Sequence, residues 1–65
     1  MKIRYFSATD TLYLEFRNCP VAETRDLDEH TVLDLDADGH TCAMTVEHAS
    51  KRTGIPEFSY EQITA

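Results

Sequence analysis

From residue 2 the chain alternates. In Lys2-Ile3-Arg4-Tyr5-Phe6, Ile3 and Tyr5 fall on one side and Lys2 and Arg4 on the other. In Leu12-Tyr13-Leu14-Glu15-Phe16, the leucines and Phe16 oppose Tyr13 and Glu15. Period two is the mark of a half-buried strand. The intervening Ser7-Ala8-Thr9-Asp10 suits a short hairpin loop. Pairing Tyr5 with Leu12 sets Ile3 opposite Leu14 and Met1 opposite Phe16, so all of these share one face. A slip of one residue would turn one strand's apolar side chains to solvent.

Pro20 then interrupts the pattern, because it has no N–H to give to a central ladder. The stretch that follows, Val21 to Asp28, mixes branched and charged residues and reads as an exposed strand anchored by Leu27. The next alternation is the strongest in the chain. Leu33 and Leu35 alternate with Asp34 and Asp36, and Cys42, Met44 and Val46 alternate with Thr41, Ala43, Thr45 and Glu47. A two-residue turn at Asp38-Gly39 would pair Leu35 with Cys42, Leu33 with Met44, Thr31 with Val46 and His30 with Glu47. A three-residue loop with a glycine bulge would instead pair Leu35 with Thr41 and break the parity, so the two-residue turn is expected. Beyond Glu47 the pattern ends. His48 to Gly54 can make a helical turn, and Pro56, Phe58 and Ile63 suit a short helix or a packed tail.

These elements predict a mainly β (α+β) fold: a single antiparallel β-meander of four to five strands with a short C-terminal helix. The strands lie at about 2–6, 11–17, 21–27, 31–36 and 41–48, the helix at about 57–63, and one small domain spans 1–65. The inward set is Ile3, Tyr5, Leu12, Leu14, Phe16, Leu27, Leu33, Leu35, Cys42, Met44 and Val46. Sixty-five residues support only a small core, and a single core of that size supplies about 3–5 kcal/mol. One sheet with one short helix leaves part of its apolar face wet, which predicts a homodimer.

Composition narrows the partners. Six basic and twelve acidic residues give a net charge of −6. That charge repels phosphate backbones, so direct nucleic-acid binding is not expected, and a basic protein suits the surface better. No apolar run reaches the length of a membrane span, and the first residues lack a signal-peptide apolar region. A cytoplasmic protein is therefore expected. Two cysteines allow one bridge but no disulfide framework. Cys42 lies on the apolar face, where a buried free thiol is the expected state, and Cys19 lies in an exposed loop beside Pro20.

The segment Asp34-Leu35-Asp36-Ala37-Asp38-Gly39 begins like a calcium-binding EF-hand loop, with oxygen ligands at positions one, three and five and glycine at six. Position twelve, where that loop needs a bidentate glutamate, is Thr45, and the flanks are strands. The alternation already turns Asp34 and Asp36 outward, so the segment reads as a hairpin with an acidic stripe. His30, His40, His48 and the cysteines lack the close paired spacing of a zinc site. No metal or cofactor is expected. Cys42 with His40 would be a nucleophile–base pair, but on the apolar face. Glu47, at the exit of the last strand before His48-Ala49-Ser50, is expected to tie down that turn together with Ser50. Asp34, Asp36, Asp38, Glu47 and His48 are the candidate partner-binding residues.

Tyr5, the stretch from Asp10 to Leu14, Asp34-x-Asp36-x-x-Gly39 and Glu47-x-Ala49-Ser50, in that order and spacing, resemble the small prokaryotic family catalogued as domain of unknown function 2283. The resemblance runs from residue 1 to about residue 52. Members commonly carry an Ile-Glu-Ile-like run before the Ala-Ser, whereas here His48 replaces an apolar residue. The resemblance implies a compact β-rich domain and carries over no catalytic residues. The class of small acidic proteins suggests an antitoxin-like partner of a basic protein. The leading functional expectation is a non-enzymatic protein-interaction or regulatory module acting as a homodimer. The alternatives are a ligand-binding or enzymatic dimer with its site near Glu47 and His48, and weak metal binding at the Asp34–Gly39 hairpin.

Overall fold

The computed structural model describes residues 1–53 and 59–64, with Arg52 and Thr53 as backbone only. Five strands form one antiparallel sheet: β1 (Lys2–Phe6), β2 (Thr11–Glu15), β3 (Glu23–Asp28), β4 (Thr31–Leu35) and β5 (Thr41–Val46). A helix of one and a half turns, α1 (Ala49–Thr53), follows β5. The helix expected at 57–63 falls partly outside the described residues. Of that stretch, residues 59–63 carry no regular structure and are exposed.

The strand order is β1-β2-β5-β4-β3. Neighbours follow chain order within β1–β2 and within β3–β4–β5, and the meander is interrupted once, where β2 pairs with β5. The residues explain this choice. β5 matches β2 apolar residue for apolar residue, Leu12 with Val46 and Leu14 with Met44. β3 reads Glu-Thr-Arg-Asp-Leu-Asp and is exposed throughout. Such a strand belongs at an edge, where its charges discourage pairing with other chains. The connection from β2 to β3 therefore crosses the hairpin end of the sheet. Phe16 N and Arg17 N both donate to the Cys42 carbonyl, at 2.8 and 3.1 Å, and Ala22 N donates to Leu35 O at 2.8 Å.

The β1–β2 register has Tyr5 opposite Leu12 and Ile3 opposite Leu14, as the alternation predicts. In β4–β5, Thr31 pairs with Val46 and Leu33 with Met44, also as predicted, but Leu35 pairs with Thr41. The two-residue turn is therefore corrected to a three-residue loop. Gly39 N donates to Asp36 O at 3.0 Å and Asp36 N to His40 O at 2.9 Å, with Gly39 left-handed at φ +84. This is a type I turn followed by a glycine bulge. The Asp36 carboxylate selects it by accepting from Asp38 N and His40 N, both at 2.9 Å. A second irregularity then restores parity, because Cys42 stands unpaired between Thr41 and Ala43. Leu27 is likewise the extra residue of a bulge in β3.

The two cysteines are joined as a Cys19–Cys42 disulfide, which corrects the expectation of a buried free thiol at Cys42. The bond links the β2–β3 crossing to the bulge in β5, and an Arg17–Asp36 ion pair links the same crossing to the β4–β5 loop.

The buried apolar residues are Leu12, Leu35, Cys42, Ala43 and Ala49, with Thr31 also buried. Much of the expected inward set is less covered: Leu14, Leu33, Met44 and Val46 are intermediate, while Ile3, Phe16 and Leu27 are exposed. Among the described residues no second layer lies over that face. No helix among the described residues is long and apolar enough to cross a membrane.

Candidate functional site

Three groups of side chains stand out, together with one apolar concavity. The first group centres on Asp10, which closes the β1–β2 turn in a left-handed conformation at φ 53. Aspartate tolerates that backbone better than most residues. Tyr5 Oη donates to Asp10 Oδ1 at 2.6 Å, and Ser50 Oγ donates to Oδ2 at 2.7 Å. Ser50 N reaches both carboxylate oxygens, at 3.1 and 3.3 Å, and Ala49 N donates to the Asp10 backbone carbonyl at 2.9 Å. The start of α1 is thus fastened to the first hairpin. Hydrogen bonds from Tyr5 and then Ser50, with help from the His48 charge, hold the Asp10 carboxyl below its ordinary value against the opposing effect of burial. The same bond raises the Tyr5 hydroxyl. These donors occupy both carboxylate oxygens of Asp10. The group is a latch. Ser50 thus ties down this turn, as expected, with Asp10 as its partner, and Glu47 does so through its backbone N–H on His30 O.

The second group lies at the end of the sheet where β5 exits. Glu47 N donates to His30 O at 2.7 Å, which extends the β4–β5 ladder by one step. Glu47 Oε2 comes within 3.9 Å of His30 Nδ1, so the expected pairing of these residues holds. His48 takes a left-handed backbone at φ 54 and sets its ring edge-on to His30, with centroids 4.8 Å apart at 86°. The sequence singles out Glu47 and His48 and sets His30 opposite Glu47; the structure adds the contact between the two imidazoles, with His30 held by its N–H on Asp28 Oδ1 at 2.9 Å.

The third group is the acidic hairpin. Asp36 and Asp38 bring their oxygens within 4.8 Å of one another and of a His40 ring nitrogen, and Asp34 stands outside that group. Asp34 accepts from Thr24 Oγ1 on β3 at 3.1 Å. Asp36 is engaged by its own loop and by Arg17, and these donors, led by His40 N–H, hold its carboxyl below the ordinary value. Asp38 is exposed.

The concavity, about 360 Å³, opens on the apolar face. Leu12, Leu14, Met44 and Val46 line it from the central strands, with Leu27, Asp28 and Thr31 on the β3–β4 side. The alternation exposes this signal in the sequence. Asp10 is visible there as a hairpin-loop residue and as one element of a family pattern, but not as the partner of Ser50.

Residues 2–50 match the model of a family described as a protein of unknown function (DUF2283). No curated protein and no solved structure matches the chain.

Proposed function

The chain belongs to the family of proteins of unknown function DUF2283, and we propose that it works as a non-enzymatic interaction module, assembled as a homodimer through the open apolar face. The observation that carries this reading is the uncovered face itself. Leu27 is 62% exposed and Ile3 47%, beside the concavity lined by Leu14, Met44 and Val46. The chain exposes 5112 Å², against about 4,200 Å² for a folded monomer of its mass. The radius of gyration is 12.9 Å, where about 11 Å is usual for this length. A second copy laid face to face would supply the missing layer.

The opposite face carries Asp34, and Asp38 and Glu47 project at its ends. With a net charge of −6, these residues suit a basic protein surface as the regulated partner. Sedimentation of the full chain tests the assembly. The wild type is expected to be a dimer at micromolar concentration. Leu27→Glu is expected to be a folded monomer, because Leu27 is already exposed in the single chain. A wild type that sediments as a monomer throughout that range refutes the reading.

A further inference from the structure

We propose that His30, Glu47 and His48 form a binding site for one divalent first-row transition-metal ion, of which zinc is the natural probe. Their ligand atoms lie within 4.8 Å of one another. Ligands around a tetrahedral zinc at bond lengths of ~2.0–2.1 Å stand roughly 3.3 Å apart. The closing movement is therefore about 1.5 Å at most, within reach of side-chain rotation at Glu47 and His48, both exposed.

His30 supplies the second observation. Its Nδ1 is shielded from solvent, on a side chain 42% exposed overall, and has no hydrogen-bond partner among the described residues, with the Glu47 carboxylate at 3.9 Å. Buried polar atoms are almost always satisfied, and a metal between the two imidazoles and the carboxylate would satisfy this one. The backbone is already set for the purpose. His30 is held at both its N–H and its carbonyl, and His48 is placed by the latch that fixes Ala49 and Ser50 on Asp10.

The other two ligand groupings among the described residues are weaker. Cys19 and Cys42 beside Asp36 are bonded to each other. In Asp36, Asp38 and His40, the Asp36 oxygens already accept from the loop N–H groups and pair with Arg17. Two imidazoles and one carboxylate favour zinc, nickel, copper or cobalt over calcium or magnesium, which take oxygen ligands. Three protein ligands leave a fourth position for water. The spacing of His30 from Glu47 hides the group from any sequence motif; the β4–β5 ladder brings them together.

The test is a zinc titration of the oxidised full chain by calorimetry, with imidazole ¹⁵N spectra recorded in parallel. Wild type is expected to bind one ion per chain, and zinc to shift the nitrogens of His30 and His48 while leaving His40 in place. Loss of an outer partner of a metal site already lowers affinity about 10–100-fold, so His30→Gln and His48→Asn should each weaken binding at least about tenfold. Asparagine accepts the left-handed backbone at 48. His40→Gln should bind like wild type. The spectra of the wild type keep the test decisive if a variant misfolds. Absence of saturable binding, zinc shifts at His40 in place of His30 and His48, or wild-type affinity in folded His30→Gln and His48→Asn overturns the proposal.

Discussion

Opening the Cys19–Cys42 bond releases a loop with a sequence separation of 23. Chain-entropy bookkeeping for a loop of that length gives about 3.4 kcal/mol of stabilisation through the unfolded state. The core of a 65-residue chain contributes only about 3–5 kcal/mol net, so the reduced protein should sit close to its unfolding threshold. With an unfolding entropy near 2.1 cal/mol/K per residue, the loss corresponds to a fall in Tm of roughly 25 °C. Two perturbations reach the same state. Reduction opens the bond directly. Cys19→Ala removes it at the more exposed partner, whereas a change at Cys42, which is buried, would add a packing defect of its own. The assay is thermal and urea unfolding of oxidised, reduced and Cys19→Ala protein at one protomer concentration, since association also shifts apparent stability. Intact-mass analysis after alkylation without reductant establishes the bond. Agreement of all three samples within about 1 kcal/mol would refute the assignment of the bond as the principal tie between the β2–β3 crossing and β5.

Gly39→Ala should cost about 1–2 kcal/mol by urea unfolding, through backbone conformation alone, because the residue sits at φ +84 with nothing near the added methyl. Acid should destabilise the fold. Asp10 and Asp36 both titrate below their ordinary value near 3.8 in the folded state. Their contribution is therefore complete above that value and is lost as pH falls through the lower folded pKa. Melting temperature should fall as pH is lowered below the ordinary carboxylate value near 3.8, and Asp10→Asn should flatten that slope. An unchanged slope would show that the latch carries no proton linkage.

Much of the fold is legible in the alternation. Ile3, Tyr5, Leu12 and Leu14 allow one hairpin register that keeps them together, and the same holds for Leu33 with Met44. Such pairings are set within about ten residues of chain, where a one-residue slip is penalised at every position. The disagreement at Leu35 has a local cause. The Asp36 carboxylate can satisfy two loop N–H groups only in the longer turn, and the lost parity returns through an unpaired Cys42. Turn chemistry and strand parity competed, and a bulge accommodated both.

The candidate sites divide along the same line. Glu47 and His48 are conspicuous as the end of a pattern. The pairing of His30 with Glu47 follows from the hairpin register, whereas the Asp10 latch joins residues 40 positions apart and leaves no local signature.

Strand identity, hairpin register and the acidic outer stripe were therefore already present in the order of the residues, because period two is a property of neighbours. Which edge β2 would join, that Cys19 would meet Cys42, and that Asp10 would meet Ser50 depend on contacts distant in sequence. Those contacts follow from how the least charged strands fill the centre of the sheet, and they exist only once it has formed.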